Sequence, residues 1–228
     1  MTKKKEVKTQ VQSEQRVFKN NGKRFEEDFK ASFAPHIWTY RPPDNGGGQM
    51  ARFTHESICD LMAFNPKTGS LTLMELKSTL GTSVSFKPYE FCMAYEKKKK
   101  EFEEWNSTLI PAERKKLKED IDNTKRTIKA LYKESNSAMI KYHQIKNLLE
   151  NEENYGIKGY LLITFFKTPS TYAIPIAKFI EFWKNTTKKS VNEKELEAMV
   201  SEGKVLKIEQ SYIRGTMKST YAVDFLTE

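Results

Sequence analysis

Cysteine and histidine are scarce in this chain, and their scarcity excludes several kinds of site. The 228 residues contain two cysteines and three histidines. Cys59 and Cys92 are too few for a disulfide framework or a zinc cluster. His36, His55 and His143 are scattered and form no metal-binding motif such as H-E-x-x-H. A metal site in this chain would therefore have to rely on carboxylates.

Long apolar runs are missing as well. No stretch approaches the roughly 20 residues that span a membrane. Met1-Thr2-Lys3-Lys4-Lys5 also lacks the apolar stretch of a signal peptide. These two absences predict a soluble, cytoplasmic protein.

Length and charge set the broad class. Lysine and arginine number 39 against 30 aspartates and glutamates, which gives a formal net charge of +9. This excess favours a polyanionic partner, either nucleic acid or an anionic membrane surface. With 38% hydrophobic residues, the chain is long enough for one domain with a core and an elaboration.

Two short apolar runs, at residues 58–64 and 71–77, carry the most informative charges. The segment between them, residues 65–69, is rich in turn formers, so the pattern predicts a β-hairpin. Side chains alternate along a strand, so Glu75 and Lys77 share one face. Antiparallel pairing can bring Asp60 beside them.

Burying these charges is costly unless something compensates. A hard divalent cation held by Asp60, Glu75 and the carbonyl of Leu76 would supply that compensation. Lys77 would then face the attacking water or the phosphate.

The spacing D-x14-E-x-K of these residues resembles the active-site core of the PD-(D/E)XK nuclease superfamily. The three residue types are common, and an exposed hairpin with a surface ion pair also fits the pattern. The charges interrupt apolar runs rather than decorate a polar segment. That placement favours the nuclease interpretation.

The residues before the hairpin predict an arm and a helix. Residues 1–20 are basic with few apolar groups, which is typical of a mobile tail that also suits phosphate contact. Phe25, Phe29 and Phe33 then repeat every four residues and predict an amphipathic helix. Glu26 lies beside this stripe and is either a surface acid or a residue that reaches the metal site from the helix.

A flexible loop is predicted at residues 40–49, since two prolines and three glycines cannot continue a helix or a central strand. It lies next to the predicted site in the sequence. The candidate DNA-binding residues are Lys23, Arg24, Arg41, Lys97, Lys98, Lys99 and Lys100.

Residues 89–142 are predicted to form a helical hairpin that interrupts a nuclease domain at 21–228. An apolar stripe in the first half faces an a/d seam that runs from Leu117 to Leu149. With Pro111 in its first turn, the helix that carries this seam is predicted to have about 39 residues and to be on the order of 58 Å long. Its lysines suit either a solvated face or a DNA-contacting face.

The final third of the chain again has the sequence pattern of short strands and helices. Residues 159–166 predict a fully buried strand, and residues 171–176 a second strand that Pro175 moves toward a sheet edge. Residues 190–200 predict a helix with Asn192 as its N-cap.

Taken in order, these residues resemble the RecU family of Holliday junction resolvases. The match covers most of the chain apart from the basic arm and the helical hairpin. It is carried by Gly22, Phe25-Glu26, Cys59-Asp60, Glu75-Leu76-Lys77, His143-Gln144, residues 180–183, residues 188–190 and residues 195–197.

The resemblance implies a restriction-endonuclease-like α/β fold, with a mixed sheet flanked by helices. It implies a homodimer that nicks branched DNA symmetrically with Mg²⁺, for which Mn²⁺ can substitute, and no small-molecule cofactor. Asp60 and Glu75 correspond to metal ligands and Lys77 to the lysine that stabilises the transition state. Gln144 corresponds to the glutamine whose amide oxygen completes the metal site, and Glu26 to a further catalytic acid.

Three departures from the family pattern bear on specificity. The stalk that enters the junction is reduced to residues 41–56, whereas residues 89–142 are much longer than their counterpart. The threonine upstream of the catalytic aspartate is replaced, since Ile58 and Cys59 stand there. We therefore expect one more water in the metal shell.

Two other functions compete with junction resolution. One is a structure-selective or replication-linked nuclease, and the other is a non-catalytic DNA-binding recombination mediator. The intact Asp60, Glu75 and Lys77 argue against the mediator, because a binding module has no use for them.

Overall fold

A mixed six-stranded sheet forms the centre of the computed structural model, which describes residues 21–42, 57–214, 216 and 218–228. The strands are β1 (Trp38–Tyr40), β2 (Leu61–Asn65), β3 (Ser70–Thr79), β4 (Ser83–Ser85), β5 (Lys158–Phe165), β6 (Ser170–Pro175), β7 (Ser190–Asn192), β8 (Leu206–Ile208), β9 (Gln210–Tyr212) and β10 (Ser219–Tyr221). The helices are α1 (residues 21–31), α2 (Tyr89–Thr108), α3 (Pro111–Lys116), α4 (Lys118–Ser135), α5 (Tyr142–Tyr155), α6 (Ile176–Lys184) and α7 (Glu193–Ser201), with a 3₁₀ helix at Asp224–Thr227. The predicted basic arm and most of the glycine-rich loop lie outside the described residues.

The order of strands in the sheet is β1-β2-β3-β5-β6-β8. β1, β2 and β3 form an antiparallel meander, β5 runs parallel to β3, and β6 and β8 continue antiparallel. The parallel step from β3 to β5 contains α2 to α5, which supply the crossover that such a pair requires. The predicted mixed sheet flanked by helices, with an inserted helical hairpin, is confirmed.

Each face of the sheet buries its own apolar cluster. Met74 and Leu76 point to the face covered by α1, where Phe25 and Phe29 pack edge to face with ring centroids 5.6 Å apart. Leu73 points to the opposite face, which is covered mainly by α5 and α6. The alternation of β3 thus places Glu75 on the same face as Leu73.

The predicted hairpin is confirmed. Its turn closes with Gly69 N donating to Asn65 O at 2.8 Å, and Gly69 has φ 72°. That left-handed conformation suits glycine, because it lacks a Cβ. β2 begins at Leu61, so Asp60 lies just before the strand, but its N still donates to Met74 O at 3.1 Å.

α2, α3 and α4 form the helical insertion. The predicted continuous helix from Leu117 to Leu149 is wrong, because the chain leaves helical geometry between α4 and α5. Ile140 N donates to Ser85 O at 2.9 Å and its neighbour in the sheet pairing is Phe86, so this segment is held beside β4. A bond to β4 competes with the helical hydrogen bonds that the apolar spacing alone predicts.

The predicted edge position of β6 is also wrong, since β6 lies between β5 and β8. Pro175 is its last residue and the N-cap of α6, and it lies beyond the residues 171–173 that pair with β8. A proline is tolerated at such a strand end. The predicted capping of α7 is confirmed. Glu195 N donates to Asn192 Oδ1 at 3.0 Å, and Asn192 N donates to the Glu195 carboxylate at 2.9 Å.

Candidate active site

The hairpin brings two carboxylates together. Leu61 pairs with Met74 in the β2–β3 register, so Asp60 lies opposite Glu75 and both project from one face. Leu76 N donates to Asp60 Oδ2 at 2.9 Å, which fixes the orientation of that carboxylate. Lys77, two residues beyond Glu75, completes the group: its Nζ contacts the Glu75 carboxylate and lies 3.8 Å from Asp60 Oδ2.

Burial differs strongly within this group. Glu75 is 1% exposed, and its burial raises its pKa to about 8, although Lys77 opposes the shift. Burial also disfavours the charged form of Lys77, but the carboxylates of Glu75 and Asp60 outweigh it and raise the Lys77 pKa. The side chain of Asp60 is 31% exposed, so the site opens to solvent on its side.

Gln144 reaches the same carboxylate from the first turn of α5. Its amide nitrogen donates to Glu75 Oε1, and its amide oxygen accepts from Lys141 N at 3.1 Å. The amide nitrogen, not the oxygen, thus faces Glu75. Turning the amide over would present the oxygen that the family resemblance assigns to the metal.

Asn136 is a residue that the sequence analysis missed. Its side-chain nitrogen donates to Tyr132 O at 2.9 Å, and its side-chain oxygen accepts from His143 N at 2.9 Å. It therefore ends α4 and fixes the start of α5, one residue before Gln144. The known preference of asparagine for helix ends was the available signal.

Glu26 approaches the site from α1. The start of this helix lies close to the end of β3, where a Cβ on Gly22 would stand 3.5 Å from Ser78 Oγ. The charge of Glu26 contributes to the raised pKa of Lys77. Arg41, a candidate DNA contact, forms an ion pair with Glu26 at 2.6 Å and so lies beside the site.

The other candidate DNA-binding residues lie on two helices. Lys23 is exposed and Arg24 half-buried on α1. On α2 the pairs Lys97–Glu101, Lys99–Glu103 and Lys100–Glu104 lie at 3.8, 3.9 and 3.8 Å, and Lys98 is exposed. Their charge is thus partly balanced along the helix. α2 is joined to α5 through Glu96 and Lys146, whose charged atoms are 2.9 Å apart.

The donor chemistry suits a hard cation, although no three-residue cluster is formed. Within the described ranges, no group of three or more histidine, cysteine, aspartate or glutamate side chains is placed to hold a metal. Asp60, Glu75 and the Leu76 carbonyl offer oxygen atoms, which Mg²⁺ and Mn²⁺ prefer, and the Gln144 amide would add one after it is turned over. Burial raises the pKa of the Cys59 thiol to about 12, and its Sγ donates to Leu61 O at 3.4 Å.

Comparison with known proteins finds a family match in the second half of the chain. The family model described as RecU, Recombination protein U, matches residues 119–218. Over this range the chain is similar to RecU. The RecU match includes Gln144 and ends before β10, and it begins after the hairpin that carries Asp60, Glu75 and Lys77.

A solved structure gives a distant likeness. It is Hjc from Archaeoglobus fulgidus, described as a Holliday junction resolvase, with 9% identity and a TM-score of 0.35. The alignment covers 81% of this chain and 92% of that one. No curated protein sequence matches this chain. None of the helices among the described residues has the length and apolar character needed to cross a membrane.

Proposed function

We propose that this protein is a metal-dependent endonuclease that cuts branched DNA in the manner of a Holliday junction resolvase. The observation that carries the proposal is the grouping of Asp60, Glu75 and Lys77 on one sheet face, with Gln144 against the buried carboxylate. The RecU match and the net charge of +9 support it. A net positive charge is expected of a protein that acts on a polyanion.

The residues have distinct roles in this proposal. Mg²⁺, or Mn²⁺ in its place, would be held by Asp60, Glu75, the Leu76 carbonyl and the Gln144 amide, and would activate water and draw charge from the phosphate. Lys77 offsets negative charge that develops on the phosphate in the transition state. The backbone N–H of Leu76 holds Asp60 at the open side, where DNA enters.

Glu26 and Arg41 act at the margin of the site. Glu26 adds negative charge near Lys77, and Arg41 is placed to exchange its ion pair for a phosphate oxygen of DNA. Resolution of a junction needs two symmetric cuts, so we propose a homodimer with one such site in each subunit.

Cleavage of four labelled DNA forms tests this proposal: a junction, a fork, a flap and a linear duplex, each with Mg²⁺ and with EDTA. A resolvase should cut the junction in paired, symmetric positions and only with metal. Preference for the fork or flap would favour a structure-selective or replication-linked nuclease. Tight binding without cleavage at any metal concentration would favour the recombination mediator.

Matched variants locate the chemistry. Glu75→Gln should abolish cutting, whereas Glu153→Gln, which neutralises an exposed acid near the end of α5, should cut at the wild-type rate. Near-normal cutting by Glu75→Gln would contradict the site assignment.

A further inference from the structure

Two aromatic side chains on β1 are exposed side by side. Trp38 and Tyr40 are 55% and 42% exposed. Their rings are parallel within 5°, with centroids 5.7 Å apart. Large rings that are exposed to water lack the stabilisation that burial gives. A ligand that covers Trp38 and Tyr40 would therefore gain binding energy.

The neighbouring strand extends the exposed surface. Trp38 pairs with Phe64 and Tyr40 with Met62, so the four side chains share one side of the sheet. Phe64 is 36% exposed and Met62 is half-buried. We call these four residues the aromatic face. It carries no charged side chain.

The aromatic face continues directly into the candidate active site. Phe64, Met62 and Asp60 follow one another at every second position of the chain, so they project from the same side. Asp60 lies about 7 Å along the strand from Met62, and β1 lies about 4.8 Å to the side of β2. Tyr40 is therefore about 8 Å from Asp60, or about two nucleotides at the ~3.4 Å rise of stacked DNA.

We propose that the aromatic face stacks against a base that is unpaired at the branch point, beside the phosphate that is cut. The inference rests on the proposed function, because it places the branch relative to the cleavage site. Aromatic rings bind bases of any sequence through their π-faces. The excess positive charge of the chain and Arg41, the residue after β1, favour a polyanion here.

The size of the aromatic face argues for a base rather than a second protein subunit. Fully burying an aromatic side chain removes about 150–250 Å² from water. At the observed exposures, the three rings together offer roughly 300 Å². A stable protein interface needs about 800 Å² on each partner, whereas one or two stacked bases need far less.

Binding without cleavage tests the inference. The full-length protein would be titrated in EDTA with a junction that carries 2-aminopurine at the branch, and with a linear duplex. Trp38→Ala should bind the junction about tenfold more weakly, in line with the loss of one base–aromatic contact, and lose the change in 2-aminopurine fluorescence. Linear duplex binding should change less than twofold. Trp38→Phe should restore most of the junction affinity.

A matched control and the contrary outcomes complete the test. Tyr155→Ala removes a ring that is 74% exposed at the end of α5 and should leave both affinities and the fluorescence change intact. Equal losses for junction and duplex, or no loss, would overturn the inference. A wild type that sediments as a dimer and a Trp38→Ala variant that sediments as a monomer would also overturn the inference. That result would assign the aromatic face to contact with a second copy of the chain.

Failure of the proposed function would look different. A wild-type protein that cuts no DNA with Mg²⁺ would refute the nuclease, but a selective loss of junction binding in Trp38→Ala would still support stacking. If the wild type cuts DNA and Trp38→Ala binds the junction as tightly as the wild type, the stacking inference is refuted and the proposed function stands.

Discussion

Glu75→Gln should change how the stability of the metal-free protein depends on pH. The folded protein holds Glu75 at a pKa of about 8, against 4.5 for an ordinary glutamate. Below pH 4.5 the side chain is protonated in both the folded and the unfolded state. As the pH rises from 4.5 to about 8, the unfolded state releases the proton first, so the wild type loses stability across this window.

The size of the effect follows from the two pKa values. The difference between 4.5 and about 8 corresponds to about 5 kcal/mol at about 1.36 kcal/mol for each pH unit. Glutamine has the shape of the protonated acid and never ionises. The wild type should therefore lose about 3 to 5 kcal/mol more than Glu75→Gln between pH 4.5 and pH 9. Asp60, 3.8 Å from the amine, remains as a partner for Lys77 in the variant.

Urea unfolding at pH 5, 7 and 9 in EDTA measures this difference. Glu104→Gln, a neutralised glutamate on the exposed side of α2, is the control and should follow the wild-type curve. Mg²⁺ favours an ionised carboxylate, so adding it should stabilise the wild type at pH 8 and have little effect on Glu75→Gln. Parallel stability curves for wild type and Glu75→Gln would refute the argument that burial controls this carboxylate.

Three further predictions address the other parts of the site. Asp60→Asn should abolish nicking and leave DNA affinity within about twofold in gel-shift titrations, because it removes a ligand but no basic surface; a near-normal rate would rule Asp60 out. Lys77→Ala should lower the single-turnover cleavage rate at least a hundredfold with little change in affinity, and equal losses in both would make it only a phosphate anchor. Arg41→Ala should weaken binding and reduce the salt slope by about one ion, whereas an unchanged slope would leave Arg41 as a partner of Glu26 alone.

The role of the helical insertion can be tested by shortening it. Residues 103–123 lie beyond Tyr95 and Tyr132, which pack together with ring centroids 5.8 Å apart. Replacing that distal segment with a short Gly/Ser turn should leave the nuclease domain folded and reduce the preference for branched over linear DNA. An unchanged preference would assign the insertion to dimerisation or partner docking, which sedimentation of the same variant would separate.

Sequence alone predicts the hairpin and the grouping of its charged side chains well, because the information for both is local. The alternation of apolar and charged residues sets the face of Glu75 and Lys77, and the turn at residues 65–69 sets the register that brings Asp60 opposite. The capping of α7 by Asn192 is local in the same sense. Each of these features depends on residues close together in the chain.

The missed features depend on distant contacts. The heptad spacing continues through residues 136–141, but the hydrogen bond from Ile140 to β4, more than 50 residues earlier, ends the helix there. The position of β6 follows from its pairing with β8, which comes after three further elements in the chain and cannot be inferred from Pro175. Likewise the exposure of Trp38 is a matter of sheet order, because β1 lies at an edge.

Asn136 links the helical insertion to the candidate active site. α4 has 18 residues, so it is about 27 Å long. The Asn136 side chain at its end also accepts a hydrogen bond from His143 N in the first turn of α5. A tilt of α4 would be transmitted through this hydrogen bond to the first turn of α5, where Gln144 contacts Glu75. We therefore expect DNA or a partner bound at the distal end of the insertion to influence the position of the Gln144 amide without contacting it.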